Sequence, residues 1–200
     1  MNIIETNLRF TSKLSNRSQT SYIILHHRAG NGDVTSIHTQ HINQDYSGIG
    51  YHYYIRKDGS IFAGRPVGTV GAHCLNYNNK SVGICFEGNF ENEKMGEAQI
   101  KAGAELVKYL KGIYKSAVVV RHKDKNATSC PGNNFPYDDI VSGNVFKKEL
   151  TSANDIVWEL MNGKCKVEIN DVDAAVRCLD EAKCQNNSLY WILYKIVNKE

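Results

Sequence analysis

Short apolar runs along the first 150 residues predict a set of buried strands. These runs are rich in β-branched and aromatic residues, which favour extended structure. They cover residues 21–27, 81–86 and 117–121. A further pair of strand-like runs, 51–56 and 60–63, flanks Lys57-Asp58-Gly59, and Asp-Gly in this position predicts a hairpin.

Apolar residues at helical spacing predict two helices between these strands. The first begins after Asp33, whose side chain is suited to cap a helix, and ends before Gly48. The second covers residues 97–114. The resulting order is strand, helix, three strands, helix, strand. This order predicts an α/β fold in which helices pack on a mixed β-sheet.

The pattern changes after about residue 150, where three short helical patterns follow one another. They cover residues 152–161, 171–183 and 189–197. We therefore predict one domain over residues 1–150 and a small helical C-terminal domain over residues 151–200, which is too short for a large core of its own.

Composition narrows the classes of protein to which the chain can belong. Its 200 residues are 42% hydrophobic and 22% charged, which is typical of a folded globular protein. The longest apolar runs are far shorter than the roughly 20 residues that cross a bilayer, so no membrane span is predicted. A net charge of +3, with no basic run interleaved with aromatics, gives no sign of nucleic-acid binding. The N-terminal residues lack the pattern of a signal peptide, and we expect synthesis in the cytoplasm.

Three residues in the first domain form a candidate metal site. His26 ends a predicted strand, His122 directly follows another, and Cys130 lies eight residues later in a loop turned by Pro131-Gly132. Because consecutive strand residues point to opposite faces, only one of His26 and His27 can enter a given site. Two neutral imidazoles and one thiolate suit zinc and leave a fourth position for water.

Two other interpretations of these residue types stay open from the sequence. His38 and His41 are neighbours on one face of the first helix and form a rival metal pair, although packed histidines are common at such positions. Cys130 could instead be a thiol nucleophile that His122 activates. Six irregularly spaced cysteines in all point to free thiols or a metal site rather than to a disulfide scaffold.

Five separated blocks of sequence occur in an order and spacing that point to one family. They are Ile23 to His27, Gly48 to Tyr53 with the following Arg56 to Gly59 and Gly64 to Pro66, Val70 to His73, Ser81 to Ile84, and Arg121-His122 with Cys130 to Gly132. Together they resemble the zinc N-acetylmuramoyl-L-alanine amidases, which include phage lysozyme-type amidases and peptidoglycan-recognition proteins. The resemblance covers residues 20–145.

The resemblance implies roles for five residues. His26, His122 and Cys130 are expected to bind one zinc ion, and Tyr51 is expected beside the metal-bound water. Thr128 occupies a position at which the family carries Lys or Thr to stabilise the developing oxyanion. Since the ordinary pKa of tyrosine is near 10, Tyr51 is better suited to orient water than to remove a proton.

The family also implies the substrate and the setting. The expected reaction is hydrolysis of the amide between N-acetylmuramic acid and L-alanine in peptidoglycan, with His73 in the substrate groove. A phage endolysin or a bacterial autolysin, acting on the wall after release, fits this chemistry. A protein that only binds peptidoglycan is the alternative, and it is disfavoured because such members typically lack the ligand cysteine.

The C-terminal segment lies outside this resemblance. It carries four aromatic residues, which suit either cell-wall binding or the core of a small helical domain: Trp158, Tyr190, Trp191 and Tyr194.

Overall fold

The computed structural model describes residues 1–143, which form a six-stranded sheet with helices on both of its faces. The strands are β1 (Ile3–Ile4), β2 (Tyr22–His27), β3 (Tyr53–Ile55), β4 (Ile61–Ala63), β5 (Ser81–Phe86) and β6 (Val118–Arg121). The helices are α1 (Val34–Asn43), α2 (Glu97–Ile113) and α3 (Tyr137–Ser142), with single 3-10 turns at Asn78–Lys80 and His122–Asp124. The predicted C-terminal helices lie outside the described residues and stay a prediction.

The sheet is mixed, as predicted, with the order β1-β4-β3-β5-β2-β6. β2 lies between β5 and β6 and is parallel to both, and β3 is parallel to β5. β3 and β4 form the predicted antiparallel hairpin. β1 was not predicted, because a two-residue strand has no periodicity; it is defined by its pairing with β4.

The start of α1 and the β3–β4 turn follow from local side-chain chemistry, whereas α3 depends on a contact with the core. Asp33 caps α1 by accepting the backbone N–H of Ser36 at 2.7 Å. In the hairpin turn, Asp58 accepts the N–H of Ser60 at 2.9 Å, and Gly59 has a φ of +86°. The short α3 was not predicted; buried Ile140 ties it to the core.

Two separate clusters of buried side chains fill the two sides of the sheet. The larger one joins alternate residues of β2 and β5 to α2 and includes Ile23, Leu25, Val82, Ile84, Phe86, Leu106 and Leu110. The smaller one joins Tyr54 and Cys85 to Val34 and Ile37 of α1. In the part of the chain that the structure describes, no helix is both long and apolar enough to cross a membrane.

Candidate metal centre

His26, His122 and Cys130 meet at the C-terminal end of β2. Their ligand atoms all lie within 4.8 Å of one another, and within residues 1–143 they form the one such group of three metal-ligating side chains. His26 is in β2 and His122 follows the adjacent parallel strand β6, so both are delivered to the same edge of the sheet. Their ring centroids are 4.5 Å apart. The Cys130 Sγ lies 3.9 Å from the His26 Nδ1.

His26 and His27 point to opposite sides of the sheet. The His27 Nδ1 accepts the backbone N–H of Phe90 at 3.2 Å, on the side away from the candidate metal centre. The backbone N–H of His27, however, donates to the Cys130 Sγ at 3.4 Å. This donor favours the thiolate, so His27 supports the site through its main chain.

Asn126 sets the orientation of the His122 ring. Its Oδ1 lies 3.2 Å from the His122 Nε2, while its Nδ2 donates to the Leu75 carbonyl at 3.4 Å. A carbonyl oxygen can only accept, so the His122 Nε2 carries the proton and the Nδ1 keeps its lone pair. The Cys74 thiol donates to the same Oδ1 at 2.9 Å. Asn126 and Cys74 therefore belong to the surroundings of the metal centre, and neither was predicted there. The one hint in the sequence was that Asn126 follows His122 by four residues.

His73 lies behind the first ligand. Its Nδ1 is 3.0 Å from the His26 Nε2, and the residue is only 8% exposed. It therefore contacts the side of His26 that faces away from Cys130.

Burial keeps the two imidazole ligands neutral. It lowers the pKa of His26 well below its ordinary value, with a further contribution from His73 and His122, and it also lowers the pKa of His122. Neutral imidazole is the form that binds metal ions. Burial raises the pKa of the Cys130 thiol to about 11, although the N–H of His27 opposes this shift. An activated thiol nucleophile needs the opposite shift.

The donor set fits zinc. Two neutral imidazoles and one sulfur are ligands that Zn²⁺ prefers, and three protein ligands correspond to a catalytic rather than a closed structural site. A zinc ion deprotonates a coordinating thiol outright, so the raised pKa of Cys130 is no obstacle to metal binding.

Tyr51 lies beside the metal centre, two residues before the start of β3. Its ring centroid is 5.1 Å from that of His26. Burial raises the pKa of Tyr51 well above its ordinary value, and the nearby Cys85 and Cys130 add to the shift. The phenol therefore keeps its proton at neutral pH and can act as a hydrogen-bond donor.

His38 and His41 hold the loop that precedes Tyr51. The Nδ1 of His38 accepts the N–H of Ile49 at 3.1 Å, and the Nδ1 of His41 accepts the N–H of Gly50 at 3.0 Å. The His38 Nε2 donates to the Arg9 carbonyl at 3.0 Å. These bonds give both histidines a structural role in place of the rival metal site.

Thr128 is exposed in the loop that carries Cys130. Its Oγ1 accepts the backbone N–H of Cys130 at 3.2 Å, which shapes the turn into the ligand. Because the hydroxyl acts as the acceptor in this bond, its own proton stays available for donation.

The comparison with protein families identifies the family of this chain. Residues 16–133 match the family model described as N-acetylmuramoyl-L-alanine amidase. The chain belongs to this family. The amidase match spans every one of the residues discussed above as a metal ligand or neighbour of the metal centre.

Relatives of the amidase include bacterial, phage and insect proteins. The chain is 34% identical to peptidoglycan-recognition protein SC2 of Drosophila simulans over 138 residues, 62% of this chain and 75% of that protein. It is 33% identical to the endolysin of Enterobacteria phage K11 over 128 residues, 60% and 85% of the two chains. The solved structure of the N-acetylmuramoyl-L-alanine amidase LysC from Clostridium intestinale URNW superposes with a TM-score of 0.70 at 39% identity, covering 72% of this chain and 97% of that one.

Proposed function

We propose that this amidase is a zinc hydrolase that cleaves the amide bond between N-acetylmuramic acid and L-alanine in peptidoglycan. The observation that carries the proposal is the convergence of His26, His122 and Cys130, from three distant parts of the sequence, within 4.8 Å in a chain of the amidase family. The similarity to phage endolysins supports a role in wall lysis after release from the cytoplasm.

Three side chains would hold the zinc ion: His26 and His122 through Nδ1, and Cys130 through Sγ. When bound, zinc supplies a Lewis acid that polarises the amide carbonyl and makes water acidic enough to act near neutral pH. The backbone N–H of His27 stabilises the negative sulfur. The remaining steps depend on residues at the rim of this centre.

Tyr51 and Thr128 supply hydrogen bonds to the reacting groups in this proposal. The protonated phenol of Tyr51, held by the histidine-anchored loop, orients the attacking water against the scissile carbonyl. The hydroxyl proton of Thr128 stabilises the negative charge that develops on the carbonyl oxygen. The leaving group is the amino terminus of the stem peptide, which takes up, as it departs, the proton that the attacking water loses.

A binding-only role is less well supported, although peptidoglycan-recognition proteins are among the relatives. A protein that only binds muropeptide needs no divalent ion. Here all three ligands are present, burial favours the neutral form of both imidazoles, and the sulfur receives an N–H donor. These features support metal binding and hydrolysis over binding alone.

Metal analysis combined with product analysis tests the proposal. We expect about one zinc per purified chain, loss of wall lysis after treatment with a strong chelator, and recovery when zinc is returned. Digestion should release free amino groups of L-alanine without new reducing sugar ends. Lysis that survives chelation, or that an alkylating reagent abolishes while zinc stays bound, would contradict the metal mechanism.

A further inference from the structure

The imidazole of His73 connects the candidate ligand His26 to strand β5. The His26 Nε2 and the His73 Nδ1 are 3.0 Å apart, and the His73 Nε2 is 3.4 Å from the Ser81 Oγ. The Ser81 hydroxyl donates in turn to the Tyr77 carbonyl at 2.7 Å. These four groups form one continuous chain of hydrogen bonds.

The last group of this chain determines the direction of every bond in it. The Tyr77 carbonyl can only accept a hydrogen bond, so the Ser81 hydroxyl donates its proton to that carbonyl. The Ser81 oxygen then accepts a hydrogen bond from the His73 Nε2. The Nδ1 of His73 then has no proton and accepts from the Nε2 of His26. The Nδ1 of His26 is left with a lone pair on the side where Cys130 lies, 3.9 Å away.

The space for the His73 ring is built from two glycines. A Cβ at Gly83 would lie 2.6 Å from the ring Cγ, and a Cβ at Gly71 would lie 2.5 Å from the ring Cδ2. Both glycines are therefore needed to make room for the ring. The Oδ1 of Asn78 accepts the N–H groups of His73 and Cys74, each at 2.8 Å, and fixes the backbone that presents the ring.

We propose that His73, together with Ser81, is a positioning residue that holds His26 in the tautomer whose Nδ1 can bind the metal. This inference rests on the proposed zinc function and assigns His73 a role other than substrate binding. It predicts that substitutions of the residues in this chain of hydrogen bonds change the affinity for zinc. Outer groups that orient metal-binding histidines typically contribute 10-fold to 100-fold to affinity.

The test compares zinc affinity, measured by competition with a chelator, among full-length variants of His73. His73→Leu removes both hydrogen bonds, and we expect zinc binding to weaken roughly 10-fold to 100-fold. His73→Gln should stay closer to the wild type, because its amide oxygen can accept from His26 and its NH₂ group can donate to Ser81. Excess zinc should restore activity in both variants, with the KM for peptidoglycan unchanged.

Two further variants test the same chain with His73 itself retained, so the test does not depend on His73→Leu folding. Ser81→Ala removes the acceptor that orients His73 and should weaken zinc binding by a smaller factor. Gly83→Ala should displace the ring and weaken zinc binding as well. Gly68→Ala is the matched control, since a Cβ there meets nothing within 4 Å, and it should bind zinc like the wild type.

Three outcomes would count against the inference, and they are distinguishable. If His73→Leu binds zinc as tightly as the wild type, His73 does not position His26. If its KM rises while zinc affinity stays the same, His73 contacts substrate instead. If the wild-type protein binds no zinc at all, the proposed function fails and the inference fails with it.

Discussion

The two faces of strand β5 are built from different kinds of side chain. Val82, Ile84 and Phe86 point to the α2 side and are fully buried in the large apolar cluster. The alternate residues on the other side are small: Ser81, Gly83 and Cys85. His26 pairs with Cys85 in the parallel register, so the candidate metal centre lies on this second face.

This difference shows how one strand can serve stability and chemistry at once. The α2 side buries large apolar groups in a dense cluster, which is the main source of folding free energy. The other side uses small residues, and the space that they leave accommodates the imidazoles of His26 and His73. Substitutions on the two sides should therefore have separable effects on stability and on zinc binding.

The largest effect on activity is expected for Cys130→Ser, on the face of the sheet that carries the candidate metal centre. Serine is a poor zinc ligand compared with cysteine, so we expect the bound zinc and the wall-lysing activity to be lost together. Metal analysis and the clearing of a peptidoglycan suspension measure the two losses. A variant that keeps its zinc but loses activity would instead favour the thiol-nucleophile interpretation.

On the α2 side, Leu106→Ala should reduce stability. Leu106 is fully buried in the large cluster, and truncation of such a residue costs about 2–5 kcal/mol in the free energy of unfolding. Denaturant unfolding gives the size of the change. Ile113→Ala, at a residue that is 53% exposed on the same helix, should change stability by less than about 0.5 kcal/mol.

Leu106→Ala also tests whether stability and zinc binding depend on separate faces of the sheet. Folded Leu106→Ala should bind zinc with wild-type affinity. A marked loss of zinc affinity in this variant would mean that packing on the α2 side also determines the geometry of the metal centre.

Tyr51→Phe should affect catalysis without affecting folding. It removes the hydrogen bond that orients the attacking water in the proposed mechanism, and misplacing a reacting group can lower kcat by about 10²-fold. Zinc content and melting temperature should stay unchanged. Tyr109→Phe, at an exposed tyrosine of α2, is the control and should retain full activity. Equal activity of both variants would remove Tyr51 from the mechanism.

Glu87, directly after β5, should give the smallest effect and one that depends on pH. Burial alone would raise its pKa, but the N–H groups of Gly32 and Lys57 and the Arg56 guanidinium lower the pKa overall. A lowered pKa in the folded state stabilises the protein above the ordinary carboxyl pKa, and this stabilisation is lost as the pH falls through the lowered value.

We expect Glu87→Gln to lower the free energy of unfolding by about 1.5–3 kcal/mol at pH 7. The difference from the wild type should shrink toward acid pH, where the wild-type carboxylate takes up a proton and, like the Gln amide, carries no charge. Denaturant unfolding at a series of pH values measures it. Glu105→Gln, at a side chain that is 45% exposed, serves as the control. A difference that does not depend on pH would show that Glu87 acts through packing alone.

The long elements were predictable because their signals are local. The spacing of apolar residues located α2 to within one residue of its C-terminal end, and Asp33 located the start of α1. The hairpin was predicted from Asp58-Gly59, although β3 begins two residues later than predicted, at Tyr53. β1 and α3 escaped prediction because each is too short to show periodicity and depends on contacts with distant residues.

The amino-acid sequence by itself determined the order of β2 to β6 with α1 and α2, the mixed α/β class and the kinds of atom available to a metal ion. It also contained the five sequence blocks that resemble the amidase family, because each block consists of residues that are contiguous in the sequence. The sequence named His26 and His122 as metal ligands but left His38 and His41 open as a rival pair. Only the tertiary structure decided which of the seven histidines share a site, since that depends on the parallel register of β2, β5 and β6. It likewise placed His73 behind His26 and Asn126 behind His122, because hydrogen bonds between distant segments form only after the chain has folded.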